Sequence, residues 1–111
     1  MGNFSAGPWA MVGLAGLFEI AGALGLKYAW GRGPLWKLAV IAAMAASLFL
    51  LIRGLRDLPA GSAYAVWTGI GAAGVAVIGI IWFGESAHPF RLFFIALVVA
   101  GVAGLRLTAR L

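Results

Sequence analysis

Cysteine is absent from this chain of 111 residues, histidine occurs once and acids only three times. Without cysteine there is no disulfide framework and no thiolate metal site. His88 alone does not make a histidine site either. The three acids, Glu19, Asp57 and Glu85, stand far apart, so the sequence offers no carboxylate pair, no Ser-His-Asp set and no metal cluster. Gly69 and Gly71 form a Gly-x-Gly, but inside an apolar run where a phosphate-binding loop has no place. No cofactor, no metal and no enzymatic chemistry are expected.

Charge of either sign is scarce. Only 10% of residues are charged and 64% are hydrophobic, against about 25% charged in an average soluble domain. The net charge of +5 does not point to nucleic acid, because the eight Lys and Arg are scattered between apolar segments instead of lining one face. Basic residues at the ends of apolar segments are expected to meet anionic lipid headgroups.

What the chain does have is long hydrophobic runs. A spanning helix needs about 20 mostly apolar residues, and four segments qualify: roughly 9–26, 35–52, 60–83 and 90–107. Breakers separate them, first Gly31, Gly33 and Pro34, then Asp57 and Pro59, then the stretch from Gly84 to Pro89. The expected fold is an all-α membrane protein, one domain over 1–111 with four transmembrane helices. The short loops make neighbouring helices antiparallel. The first segment is not expected to be a signal peptide. It has no basic residue ahead of it, carries Glu19 where an apolar core would lie, and is followed by no polar mature chain.

Loop charge normally sets orientation in the membrane. With four spans, Arg53, Arg56, Arg106 and Arg110 fall on one side, and Lys27, Arg32, Lys37 and Arg91 on the other. The tie predicts either orientation by other means or dual topology, with copies inserted both ways and paired as an antiparallel dimer.

Glu19 is the one acid inside any of these segments. A carboxylate at bilayer depth costs about 2.5–3.5 kcal/mol on insertion scales, which marks it as a functional residue. Residues three, four and seven positions away share its helix face. They are Val12, Ala15, Gly16, Gly22, Ala23 and Leu26, mostly small. Such a face either packs closely against another helix or leaves room for a ligand beside the carboxylate, with Gly16, Gly22 and Ala23 lining the space. In the third segment Tyr64 and Trp67 stack one turn apart, Thr68 lies beside them, and Gly69, Gly71 and Gly74 are candidate flexing points. Ser47, alone among apolar residues, either bonds the carboxylate or bonds back to its own helix. Ala96, Ala100, Gly101 and Gly104 form a small-residue ridge suited to helix–helix packing, including a dimer contact. Trp9, Trp30, Trp36 and Trp82 lie near segment ends, as interface anchors do.

From about Gly13 to Leu107 the chain resembles the small multidrug resistance family. The carriers are GLFE followed by LKYAWG, then LPAGSAYAVWTGIGAAG, FGESAHPFRL and AGVAGLRL. The TGIGA run, the GES after the third helix and basic Arg106 resemble the guanidinium-exporter subtype more than the polyaromatic-cation subtype. The resemblance implies an antiparallel homodimer in the bacterial cell membrane that exports small organic cations against protons. Glu19 matches the family's essential carboxylate, and Gly16 the glycine before it. Ser47, Tyr64 and Trp67 match the polar and aromatic residues lining the pocket. Arg106 matches a basic residue of the guanidinium exporters. One position departs: where that subtype places a tryptophan three residues after the glutamate, this chain has Gly22, as the broad quaternary-ammonium exporters do. A larger pocket and a looser hydrogen-bond network are expected from that change. The other readings are a broad multidrug exporter, a non-transporting subunit or half of a heterodimer, and a proton or small-ion leak channel.

Overall fold

A computed structural model describes residues 2–109, with side chains from residue 7 onward; Arg110, counted above in the loop charge, lies outside the described residues. The chain forms α1 (Gly2–Tyr28), a 3-10 turn (Trp30–Arg32), α2 (Pro34–Leu55), α3 (Ala60–Trp82) and α4 (Pro89–Thr108). Each helix contains a stretch long and apolar enough to cross a membrane: Gly7–Tyr28, Pro34–Leu55, Ala60–Trp82 and Pro89–Thr108.

Helix ends follow local chemistry. Pro34 and Pro89 occupy the first turns of α2 and α4, where a missing N–H costs nothing and a fixed φ suits the helix. Gly33, with φ 135°, and Gly84, with φ 69°, adopt backbone angles open to glycine and strained for other residues, which lets each loop reverse within a few residues. His88 caps α4, its Nδ1 accepting from the Phe90 N–H at 3.1 Å. That contact occupies the lone histidine. Helix α1 runs through Pro8 instead of starting after it. A proline in the second turn forfeits one backbone bond there and leaves the rest of the helix intact.

The packing order across the protomer is α2, α1, α3, α4. Helix α1 packs on both α2 and α3, whereas the backbone of α4 lies close to that of α3 alone. The core joins Trp9, Val12 and Ala15 of α1, Leu51 of α2, and Ala63, Val66 and Trp67 of α3. No described residue of α4 is buried. The protomer is correspondingly thin, 45 × 36 × 18 Å.

Lipid tails are as apolar as leucine, so close backbone approach and polar contacts, not hydrophobic burial, hold such helices together. Gly54 of α2 shows the first device: a Cβ there would lie 2.9 Å from Val12 and 3.1 Å from the Pro8 carbonyl oxygen. Trp9 differs from the expected interface anchor. It is 8% exposed, and the Arg106 guanidinium lies 5.0 Å from its ring centroid, a cation–π contact between the start of α1 and the end of α4.

Candidate functional site

Glu19 lies near the middle of the α1 span, half-buried, against Gly71 of α3. A Cβ at Gly71 would overlap the Glu19 carboxylate, so only glycine leaves α3 low enough for the acid to rest there. Glu19 lines two cavities. The larger, of about 460 Å³, has Ala23, Met44, Thr68, Gly71, Glu85 and Arg91 among its other walls. The smaller, of about 90 Å³, is shared with Met44, Ser47, Leu48 and Trp67. Among the described residues the one ion pair joins Arg91 and Glu85, so Glu19 has no basic partner. A carboxylate beside a cavity, at membrane depth and without a cation of its own, has the chemistry to accept a proton or a cation.

Ser47 takes neither of its two expected roles. Its hydroxyl donates to the Ala15 carbonyl of α1 at 2.6 Å and accepts from the Trp67 indole N–H at 2.9 Å. Ser47 thus joins α1, α2 and α3 through one buried hydroxyl and fixes Trp67 as a wall of the smaller cavity. Ser47→Ala removes the acceptor of a buried indole and the donor to a buried carbonyl, at a cost of about 1–3 kcal/mol for the group left unpaired. The expected result is a lower melting temperature in detergent for Ser47→Ala and near-native melting for Ser47→Thr. Equal melting of Ser47→Ala and the parent would contradict the bridge.

Several expected site residues are placed elsewhere. Tyr64 meets Trp67 edge-on, with centroids 5.2 Å apart, as their spacing predicts, but it is exposed and lines neither cavity that holds Glu19. Gly16 packs against Ile70 of α3 and Gly22 against Met44 of α2, and neither lines a cavity that holds Glu19. Of the expected lining residues, Ala23 and Thr68 are walls of the larger cavity. Thr68 itself bonds back to the Tyr64 and Ala65 carbonyls. The enlarged pocket expected from Gly22 is not found in that form: a Cβ at Gly22 would come within 2.6 Å of Met44 Cγ, and Met44 supplies the wall in its place.

The three glycines read as flexing points lie within an unbroken helix, and each seats a neighbouring side chain: Val102 on Gly69, Glu19 on Gly71, Ile20 on Gly74. On α4, Ala96, Ala100 and Gly101 are exposed, and a Cβ at Gly101 or Gly104 would meet nothing within 4 Å. The ridge therefore has no partner within the described protomer.

Sequence reasoning missed Met44, Glu85 and Arg91 as cavity walls. Glu85 accepts from Arg91 Nη2 at 2.7 Å and from the Tyr28 hydroxyl at 3.3 Å. Tyr28 in turn stacks on Phe83, 3.7 Å between centroids. The Arg91 hydrogen bond holds the Glu85 carboxyl below the usual carboxylate range against partial desolvation, with Tyr28 and the Lys27 charge acting in the same direction as Arg91. The available signal was the spacing of acid and base, six residues apart across a loop that must fold back.

Comparison with known proteins gives this arrangement a family. The family model for Small Multidrug Resistance protein matches residues 7–98. This chain belongs to the small multidrug resistance family. It is similar to proteins named guanidinium exporter. That of Yersinia pseudotuberculosis is 48% identical over 102 residues, covering 91% of this chain and 98% of the relative. That of Citrobacter freundii is 50% identical over 101 residues, 90% and 96% of the two chains. That of Escherichia coli O6:H1 is 48% identical over 101 residues, again 90% and 96%. As a member of the small multidrug resistance family with four spanning helices, the protein is a multi-pass inner-membrane protein, and these relatives are named as exporters, not enzymes.

Proposed function

We propose that this protein exports small organic cations, guanidinium and substituted guanidinium compounds foremost, in exchange for protons. The observation that carries the reading is Glu19, a membrane-depth carboxylate that lines the 460 Å³ cavity and has no basic partner among the described residues. The relatives named guanidinium exporters support the substrate class. A guanidinium ion offers planar paired donors matched to a carboxylate. Proton and cation compensate the same charge, so they compete for one site, and competition couples their opposite movements.

The working form is an antiparallel homodimer. The even loop charge, the thin protomer and the unpartnered small-residue face of α4 all favour a second copy, and even charge argues against one half of a heterodimer. Two Glu19 side chains then share a midplane site, and Tyr64, exposed in one protomer, is free to complete the pocket of the pair. Exchange of the two protomers' conformations alternates access. Gly69, Gly71 and Gly74, where side chains ride on bare backbone, are the positions at which α3 shifts or bends. The partners are the cation, protons, membrane lipid and a second copy.

A substrate panel on protein reconstituted in liposomes tests the reading, with guanidinium, a substituted guanidinium and a quaternary ammonium compared under one proton gradient. The expected order places both guanidinium compounds above the quaternary ammonium in kcat/KM. The reverse order would assign the broad multidrug activity that Gly22 permits. Gly22→Trp is expected to displace Met44 from the cavity wall and to lower quaternary ammonium transport more than guanidinium transport. An unchanged ratio would remove this position from selectivity.

A further inference from the structure

The larger cavity has a carboxylate at each end. Glu19 rests on Gly71, and Glu85 rests on Gly79, where a Cβ would come within 2.6 Å of the Glu85 carboxylate carbon. These glycines are eight residues apart on α3, about 12 Å at 1.5 Å per residue. Between them Ala72, Val75 and Ala76 line the same cavity. At 100° per residue these positions share one side of the helix, so the α3 floor is continuous from one acid to the other.

The end at Glu85 is already occupied by a guanidinium, that of Arg91. The occupation is incomplete. Arg91 Nη2 meets Glu85 Oε1, while Nη1 turns to the Ser86 carbonyl at 3.2 Å, and Oε2 has the longer Tyr28 contact. A fork matched to a carboxylate delivers two parallel bonds, and here only one is made. Both side chains remain about a third exposed, Arg91 at 34% and Glu85 at 28%, the condition under which an ion pair is weak and exchanges readily.

We propose that Glu85 is a staging site for guanidinium-type cations, at which the incoming ion replaces Arg91 before passing along the α3 floor to Glu19. The inference rests on the export reading above and names a second site for the same substrate class. A free guanidinium can make both bonds to Glu85, which the tethered Arg91 does not. A quaternary ammonium, with no N–H, can make neither, so the site selects by hydrogen bonding as well as charge.

The proposal separates itself from a structural strap by sign. If Glu85 and Arg91 only tie the loop together, removing either partner acts alike. As a staging site with a built-in competitor, Glu85→Gln raises the KM for guanidinium by about tenfold, the loss of one charge-assisted pair, whereas Arg91→Met lowers it. KM shifts of the same sign, or none in either variant, would overturn the proposal while leaving Glu19-dependent export intact. Equilibrium binding of guanidinium to Glu19→Gln protein supplies a second arm that needs neither transport nor a change at Arg91. Weak residual binding that disappears in Glu19→Gln/Glu85→Gln is expected. Its absence from the single variant, or its persistence in the double variant, counts against the site. Failure of the export reading has its own signature, a parent protein without proton-coupled guanidinium flux.

Discussion

Glu19→Gln is expected to abolish proton-coupled guanidinium uptake in liposomes, a loss of roughly a hundredfold or more. Glutamine keeps the size of glutamate and its seat on Gly71, and both are good helix formers, so α1 and its packing survive. What disappears is the negative charge and the capacity to exchange a proton. Removing one partner of a close, desolvated charge pair costs about 2–5 kcal/mol, and each 1.4 kcal/mol is about tenfold. The variant should fold, insert and melt like the parent, and should neither accumulate guanidinium against a gradient nor move protons when guanidinium is added. Retained coupled uptake would remove Glu19 from the mechanism and with it the competition on which exchange depends.

Gly71→Ala should sever stability from transport. Alanine in a helix interior is favoured over glycine by about 0.8–1 kcal/mol, and by propensity alone the change stabilises α3. The added Cβ, however, would overlap the Glu19 carboxylate. Either the acid swings out of its seat or α1 and α3 separate, and both outcomes spoil the site. Uptake should fall by about tenfold or more, as misplacement of a binding group by an ångström can do, while the protein still inserts and dimerises. Gly74→Ala is the comparison: its Cβ would meet Ile20, an apolar chain away from the carboxylate, so it reports the packing and bending of α3 alone and should cost uptake less than Gly71→Ala. Equal loss in both variants would assign Gly71 to helix packing. Native uptake in Gly71→Ala would show that Glu19 does not depend on this seat.

The contrast between these two residues separates what a one-dimensional reading can see from what it cannot. An acid in an apolar run announces itself, because the cost of placing it there is large and has no local remedy. A glycine in the same kind of run is ambiguous. It weakens the helix wherever it stands, and flexing and close approach leave the same letter in the sequence. In sequence Gly69, Gly71 and Gly74 read as flexing points, and the packing gives each a different side chain to seat. Ser47 shows the same limit. Its hydroxyl was recognisable as a bond in search of a partner, but the partners lie 32 residues behind and 20 residues ahead of it.

The departure at Gly22 was likewise read correctly as a change of residue and incompletely as a change of shape. Loss of a bulky side chain enlarges a pocket only if nothing else moves in. Met44, unbranched and adaptable, comes from another helix to fill the place. A thioether is only a weak acceptor, so Met44 fills the space beside Gly22 without supplying the N–H that an indole would bring.

The sequence by itself determined that this chain crosses the membrane as four helices and that Glu19 is the one acid within them. Hydropathy and breakers are local properties, and the energetic penalty on a lone carboxylate needs no knowledge of its neighbours. Only the tertiary structure decided which small residues are seats and which are walls, that Trp9 is buried under Arg106, and that Glu85 and Arg91 belong to the same cavity as Glu19. Those facts depend on which helix faces meet and on where a loop folds back, and side chains from distant positions settle them together.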